Sequence, residues 1–326
     1  MAGKAGAARP KSVMQPNLQA ILEARLPAEF VRRRLAIEGR FNPGHFSLRK
    51  RFFKVESWWS FHSVVRNSMR LVGVYGRALR NAADVRLREN VVRFPNLPPA
   101  FDGFTLLQMT DLHADMCPGA MQRTATLLEG LRYDLCVITG DFRGANYGDY
   151  GPALEAVERL RARISTPVYA VLGNHDPLAM VPPLEAMGIA VLVNEVAVLA
   201  RGDARIHMAG IDDAHFFGTH DIPGVRAAIP PDAFAILLSH TPETYAEAAD
   251  AGFDFMLSGH THGGQICLPG SIPLMLDSPG MPRRYGAGAW RHGNMTGFTS
   301  RGTGSSLQPV RLNCPPEIVL HRLVRG

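Results

Sequence analysis

The residues best suited to chemistry in this chain are aspartate, asparagine and histidine side chains grouped in five short motifs. Each motif directly follows an apolar run that predicts a buried strand. Because the carboxyl ends of strands in an α/β sheet gather at one edge, we expect the motifs to meet there. The motifs are Asp111-Leu112-His113, Gly140-Asp141, Gly173-Asn174-His175-Asp176, Ser239-His240 and Gly259-His260-Thr261-His262.

Seven side chains in these motifs are of types that bind divalent metal ions. One tetrahedral ion needs only four ligands, so the set predicts two ions that share a bridging carboxylate. Oxygen and imidazole ligands without a thiolate favour Mn, Fe, Zn or Co, with manganese as the preferred candidate. Two such ions and two carboxylates leave a net charge of about +2, which suits an anionic phosphoryl group. The seven are Asp111, His113, Asp141, Asn174, His240, His260 and His262.

A pair of metal ions predicts the hydrolysis of phosphoric esters. Ions about 3.5–4 Å apart lower the pKa of a shared water, so that metal-bound hydroxide attacks phosphorus while the ions neutralise the phosphoryl oxygens. A further group must stabilise the leaving oxygen. We expect His175 to do this and Asp176 to orient its ring, because His175 adjoins the ligand Asn174 without being needed by either metal.

Two other residues are candidates for substrate binding. Arg143 follows Asp141 in the same loop, where a guanidinium can bind a phosphate. The alternative for Arg143 is a surface ion pair. His215 lies in a loop after a predicted strand, where it either lines the substrate pocket or is solvated.

Taken in order, the five motifs resemble those of the calcineurin-like metallophosphoesterases. The resemblance covers residues 103 to about 323 and implies an α/β fold, a four-layer α/β/β/α sandwich. In the second motif the family often has a further aspartate three residues on, which is absent here, so its support for the metals must come from elsewhere. The resemblance implies one metal bound by Asp111, His113, Asp141 and His262, and another bound by Asp141, Asn174, His240 and His260.

A narrower resemblance lies in residues 259–266, in Ser300-Arg301-Gly302-Thr303-Gly304 and in Pro315-Pro316-Glu317. These segments resemble the YkuE/YaeI-type branch of membrane-associated bacterial phosphoesterases, which includes a UDP-2,3-diacylglucosamine pyrophosphatase of lipid A synthesis. The resemblance implies a phosphodiester or pyrophosphate substrate, either lipid-linked or a small molecule. The alternatives are a general phosphodiesterase or phosphatase acting on soluble substrates, and a scaffold of this fold without catalysis.

The elements that must position the motifs alternate between strands and helices. Helical patterns at residues 118–130, 152–163, 177–187 and 242–250 separate the apolar runs, as expected for an α/β domain. The chain has 326 residues, of which 46% are apolar, so it can bury a large core, and its composition excludes general disorder and a disulfide scaffold. The predicted strands that precede the motifs end at Thr110, Thr139, Leu172, Leu238 and Leu257.

The charge divides the chain into a basic leader, residues 1–92, and a metallophosphoesterase domain, residues 93–326. Residues 1–100 contain 19 Lys/Arg and 6 Asp/Glu, whereas the remainder contains 16 and 23. A basic run, residues 48–54, and the pair Trp58-Trp59 precede a helical pattern that continues to about Asn90 and places four arginines on one arc. The four are Arg66, Arg70, Arg77 and Arg80.

Two interpretations of the leader remain open. It is either an interfacial helix on an anionic membrane or a helix packed on the body with solvated arginines. No nucleic-acid recognition motif accompanies the charge, so no specific nucleic acid partner is expected. No apolar run long enough to span a bilayer and no secretory signal is evident, and the four cysteines are scattered. We therefore expect a cytoplasmic protein, which the first of the two interpretations would place on the inner membrane face.

Overall fold

Two six-stranded sheets facing each other form the centre of the protein. The computed structural model describes residues 16–40, 63–278 and 280–326. The basic run at 48–54 and the pair Trp58-Trp59 lie outside these ranges. Within them, no helix is long and apolar enough to cross a membrane.

The first sheet contains the strands that precede three of the motifs. Its strands are β1 (Arg86–Phe94), β2 (Thr105–Met109), β3 (Leu135–Thr139), β4 (Val168–Val171), β5 (Ile189–Val191) and β14 (Glu317–Arg325). Their order is β1-β14-β2-β3-β4-β5. The pairs are parallel except β14 with β2, which is antiparallel. The central strands are apolar throughout because both faces of the sheet are covered.

The second sheet contains the strands that precede the other two motifs. Its strands are β6 (Glu195–Arg201), β7 (Ala204–Gly210), β8 (Ala235–Leu238), β9 (Phe255–Ser258), β12 (Gly288–His292) and β13 (Met295–Thr299). Their order is β12-β13-β9-β8-β7-β6, with antiparallel pairs at both edges. A separate two-stranded hairpin is formed by β10 (Cys267–Leu268) and β11 (Ile272–Pro273).

Helices cover the outer face of each sheet. The helices of the described ranges are α1 (Pro16–Glu23), α2 (Ala28–Arg40), α3 (residues 63–71), α4 (Tyr75–Ala83), α5 (Pro118–Leu128), α6 (Gly151–Arg161), α7 (Val181–Ala186), α8 (Ile222–Ala227) and α9 (Tyr245–Asp250). Both α5 and α6 have a proline in the first turn, where the missing amide hydrogen costs no helical hydrogen bond.

Three apolar clusters separate the four layers. One lies between the sheets and contains Leu106, Val137, Ile236 and Phe298. A second packs α1, α2, α5, α6 and α7 on the first sheet, and a third packs α8 and α9 on the second sheet. The predicted four-layer α/β/β/α sandwich is therefore confirmed.

The structure corrects the boundary that the sequence predicted between leader and domain. Residues 86–90, expected to be helical, belong to β1, and β1 pairs with β14 along its full length across the 92/93 boundary. The leader residues Leu22, Leu26 and Val31 are buried in the cluster behind the first sheet. In the described ranges these leader residues therefore pack on the body.

His321 lies between the two sheets and is fully buried. Its Nε2 lies 3.0 Å from Gln108 Oε1, and its Nδ1 lies 3.0 Å from Asn90 Nδ2. Burial, and then the charge of Arg88, lower the pKa of His321 from 6.5 to about 3. The unfolded chain therefore binds a proton at His321 below pH 6.5, whereas the folded chain binds this proton only below about pH 3.

We expect His321→Gln to reduce the acid sensitivity of the fold. The wild-type free energy of unfolding should lose about 2 kcal/mol through His321 between pH 7 and pH 5, because the unfolded state gains the proton. Urea unfolding at both pH values measures the loss in each protein, and titrations elsewhere cancel in the difference. An equal loss in the two proteins would contradict the assignment.

Candidate metal centre

The five motifs lie at the carboxyl ends of five strands, and these strands belong to both sheets. Asp111 and His113 follow β2, Asp141 follows β3 and Asn174 follows β4, all in the first sheet. The histidines of the last two motifs follow β8 and β9 of the second sheet. The sequence placed the motifs on one sheet edge; the structure shows two edges meeting, so the side chains face one another across the sandwich.

Left-handed backbone conformations aim the donors inward. Five of the seven predicted ligands have positive φ angles: Asp111 (49°), His113 (38°), Asp141 (56°), His260 (68°) and His262 (50°). Such values are rare for residues other than glycine. Gly140, at φ 90°, precedes Asp141, and a Cβ there would lie 2.7 Å from His240 Nδ1. The chain must therefore turn sharply at the ends of β2, β3 and β9 to bring the donors together.

The first donor set contains Asp111, His113 and His262. Nε2 of His113 lies 3.1 Å from Nε2 of His262, which lies 3.3 Å from Asp111 Oδ1. His113 Nδ1 donates to the carbonyl of Arg143 at 2.8 Å, which leaves its Nε2 as the acceptor nitrogen. All three residues are buried and their ligand atoms lie within 4.8 Å of one another.

The second donor set contains Asn174, His240 and His260. Asn174 Oδ1 lies 3.0 Å from both His240 Nε2 and His260 Nδ1, and these two nitrogens are 3.3 Å apart. His240 Nδ1 donates to the carbonyl of Thr139 at 2.8 Å, which directs its Nε2 at the other donors. The donors of each set are assembled as the sequence predicts.

A single oxygen of Asp141 faces both sets. Its Oδ2 lies 3.3 Å from His240 Nε2 and 3.7 Å from His113 Nε2, while Oδ1 accepts the backbone N–H of His175 at 3.0 Å. Ligands about 2.1 Å from a cation stand about 3.0–3.4 Å apart, so the spacing within each set fits one ion. The two sets together fit two divalent ions with Asp141 between them.

The electrostatics of the site keep three of the imidazoles neutral, the form that can bind a cation. Burial lowers the pKa of His113, His260 and His262, so these rings are neutral and keep a lone pair for a metal. Burial opposes ionisation of Asp141, yet the neighbouring imidazoles of His240, His175 and His113 lower the pKa of its carboxyl well below the usual value. Asp141 is therefore an anion at neutral pH.

His175 lies over the centre, as predicted, but the contacts of Asp176 differ from expectation. His175 Nε2 lies 3.8 Å from Asp141 Oδ2, and the residue lines the cavity above the donors. Asp176 does not reach the His175 ring; its carboxylate accepts backbone N–H groups of Phe142 and Gly173, both at 3.0 Å. Asp176 therefore ties together the loops after β3 and β4.

Arg143 is not directed at a substrate. Its guanidinium donates to the carbonyls of His175 (2.5 Å), Gly148 (3.2 Å) and Asn146 (2.9 Å), and the residue is buried. This corrects the prediction of a phosphate clamp, because the donor groups are already engaged with backbone oxygens. Arg143 instead holds the loops that carry two of the donors.

His215 contacts the centre indirectly. Its ring packs on that of His260 with centroids 4.2 Å apart, and its Nδ1 lies 3.1 Å from both carboxylate oxygens of Glu243. Hydrogen bonding to Glu243 raises the pKa of His215. His215, His260 and Asp277 also form a third group whose ligand atoms lie within 4.8 Å. The sequence did not single out Glu243 or Asp277, since only the fold brings them near.

A cavity of about 650 Å³ opens above the donors. Its floor includes Asp141, Asn174 and His175, and its walls are mostly apolar. Sequence reasoning missed these walls because they come from α3, from residues 266–276 and from the loop before β14. The apolar wall residues are Val64, Val65, Met69, Ile266, Leu274, Met275, Leu276, Leu307 and Val310.

Comparison with known proteins agrees with this geometry. The family model of calcineurin-like phosphoesterases matches residues 104–264. The chain is 28% identical over 249 residues to the uncharacterized metallophosphoesterase YkuE of Bacillus subtilis (strain 168), covering 73% of this chain and 85% of YkuE. It is 30% identical over 238 residues to the phosphodiesterase YaeI of Escherichia coli (strain K12), covering 68% of this chain and 82% of YaeI.

One similar solved structure is the calcineurin-like phosphoesterase YfkN from Bacillus subtilis. The match has a TM-score of 0.41 at 14% identity and covers 62% of this chain and 82% of that chain. The identity to YaeI and the model match, which begins one residue before β2 and ends just after the last motif, together settle the family. The chain belongs to the calcineurin-like phosphoesterases, the hydrolase family that its five motifs predict.

Proposed function

We propose that this protein hydrolyses a phosphodiester or pyrophosphate bond with two divalent metal ions, manganese being preferred. The observation that supports this most directly is the shared oxygen of Asp141, which faces both donor sets. A site for one metal ion would not need the second donor set, an amide and two imidazoles, on the other side of that oxygen. When bound, two ions would activate a shared water and neutralise charge on the phosphoryl oxygens.

The protein's own residues then position the reaction. Hydrogen bonds to the carbonyls of Arg143 and Thr139 fix the rings of His113 and His240. His175, on the cavity side of Asp141, is placed to hydrogen-bond the oxygen that leaves phosphorus. Asp176 acts by joining the loop after β4, which carries that histidine, to the loop after β3.

We further propose that the phosphoryl group is attached to an acyl lipid, as in UDP-2,3-diacylglucosamine. The apolar walls of the cavity rise directly from the donors, and Val64, Leu274 and Met275 are each about 60% exposed at its sides. Exposed apolar side chains beside a polar centre favour a substrate with an apolar portion. The relative YaeI is named a phosphodiesterase, which agrees with a diester or pyrophosphate.

An anionic membrane surface is the proposed source of that lipid. Arg70, Arg77 and Arg80 are exposed on α3 and α4, and α3 forms one wall of the cavity. Arginines beside apolar side chains suit the headgroup region of an anionic bilayer. Helices α3 and α4 thus carry the positive charges that would bind the membrane surface, and α3 also lines the cavity above the donors.

We expect Asp141→Asn to remove both ions and to abolish hydrolysis, because both donor sets lose their shared anion. Wild-type protein should bind two Mn²⁺ per chain, and Asn174→Ala should retain one. Hydrolysis of bis-p-nitrophenyl phosphate should fall about 10³-fold or more in Asp141→Asn, equivalent to about 4 kcal/mol of transition-state stabilisation. Metal content by mass spectrometry and kcat measure the two effects.

Asp254→Asn is the matched control, since Asp254 is a partly buried carboxylate that accepts the backbone N–H of Ala235, at the opposite ends of β8 and β9. It should keep both ions and normal turnover. Two bound ions with no turnover of any phosphoric ester by the wild type would favour the scaffold alternative instead.

We expect the apolar walls to select substrates by chain length. With p-nitrophenyl alkyl phosphodiesters, wild-type kcat/KM should rise as the alkyl chain lengthens, since each buried methylene contributes about 0.8 kcal/mol. Leu274→Ser with Met275→Ser should flatten the rise and leave the methyl ester unchanged. Leu268→Ser, on the hairpin and outside the cavity walls, is the control. A wild-type kcat/KM independent of chain length would favour soluble substrates.

We expect replacement of Arg70, Arg77 and Arg80 by Gln to weaken binding to phosphatidylglycerol vesicles about 100-fold, at about 1 kcal/mol for each charge near the surface. Co-sedimentation measures the binding, and phosphatidylcholine vesicles should bind neither protein. The same change at Arg132, Arg159 and Arg163, which are exposed near α5 and α6, serves as control. Equal losses in both triple variants would refute a specific membrane-facing surface.

A further inference from the structure

Arg311 is an arginine buried completely behind the metal centre. Its guanidinium contacts the carbonyl of Gly304 and the hydroxyl of Ser305, and it donates to the carbonyl of His262 at 2.9 Å. Its Nη2 also lies 3.0 Å from His262 Nδ1. Burial of a guanidinium is unfavourable by several kcal/mol unless its contacts compensate the lost hydration, so the hydrogen bonds of Arg311 are needed to keep it at this position.

Two of these hydrogen bonds end on one predicted metal ligand. A guanidinium can only donate, so His262 Nδ1 must accept. The ring nitrogen that remains, Nε2, faces Asp111 Oδ1 at 3.3 Å and His113 Nε2 at 3.1 Å. Arg311 therefore fixes both the main chain of His262 and the direction of its ring.

His262 differs in this respect from the other ligands of known orientation. His113 and His240 each donate Nδ1–H to a backbone carbonyl, the usual support of a metal-bound imidazole. His262 receives a hydrogen bond from a cation at the same position.

Arg311 is itself held from outside the family's motifs. Its backbone N–H donates to the carbonyl of Ala78 in α4 at 2.8 Å. The preceding residue, Val310, is buried against Met69 and Ala78. A Cβ on Gly302 would lie 3.1 Å from Arg311 Nη2 and 3.2 Å from His262 Nδ1, so the guanidinium has little room to move.

We propose that Arg311 is a positioning residue for the first metal ion, acting through His262. The inference rests on the proposed binuclear function, because it assigns the residue to one of the two ions. It predicts that Arg311 controls the affinity and geometry of the site at Asp111, His113 and His262, and that it leaves the site at Asn174, His240 and His260 unaffected.

The test compares Arg311→Met and Arg311→Lys with the wild type, loaded with Co²⁺ and Mn²⁺. Arg311→Met should bind the first ion about 10- to 100-fold more weakly, the usual effect of losing a residue that supports a metal ligand. The second ion should bind with wild-type affinity. The visible absorption of the first Co²⁺ should change in position or intensity, which a general loss of stability would not cause. Arg311→Lys, which keeps the charge but not the double contact, should be intermediate.

Arg301→Met is the control, since Arg301 lies nearby but is partly exposed and pairs with Glu317. It should leave both affinities unchanged. Circular dichroism checks that each variant folds. If Arg311→Met does not fold, the ion affinities and Co²⁺ spectrum of Arg311→Lys test the proposal. Two ions bound with wild-type affinity and spectrum in the folded Arg311 variant would overturn this inference alone. Failure of the wild type to bind two ions would instead overturn the proposed function.

Discussion

The metal centre depends on a backbone conformation that most residues avoid. Left-handed geometry at a residue other than glycine costs about 1–3 kcal/mol and persists only where surrounding contacts impose it. Here, hydrogen bonds between strand ends do so: Asp111 N–H binds the carbonyl of Gly140, His113 N–H binds that of Asp141, and Gly259 N–H binds that of His240. These backbone hydrogen bonds therefore hold the donors in position, and several of the donors form the floor of the cavity.

The predicted metal ligands and the residues that surround them come from different parts of the chain. All seven predicted ligands lie within residues 104–264, the range shared with the family. The apolar walls and Arg311 lie outside it, in α3 and in residues 266–311. The leader also supplies Arg34, whose fully buried side chain pairs with Asp212 at 2.8 Å and donates to the carbonyl of Asp176 at 3.1 Å. The predicted metal ligands and the apolar walls proposed to select a substrate thus come from different parts of the sequence.

The sequence predicts the donors well because each follows an apolar strand and the strand ends converge by topology. It predicts β1 poorly: residues 86–94 do not alternate regularly between polar and apolar side chains, and their pairing with β14 is a contact between distant segments. Arg143 was misjudged for a related reason. Proximity to Asp141 along the chain suggested a phosphate ligand, whereas nearby carbonyls, invisible in a sequence, take up its donors. The cavity walls needed three distant segments to be brought together.

The position of β14 has a consequence for biosynthesis. This strand lies between β1 and β2, and its antiparallel pairing with β2 adjoins the strand that leads to Asp111 and His113. A ribosome releases β1 and β2 long before it synthesises β14, so the first sheet stays interrupted during most of translation. The loops that hold Asp111 and His113 therefore gain the full support of the sheet only once β14 has inserted between its two neighbours.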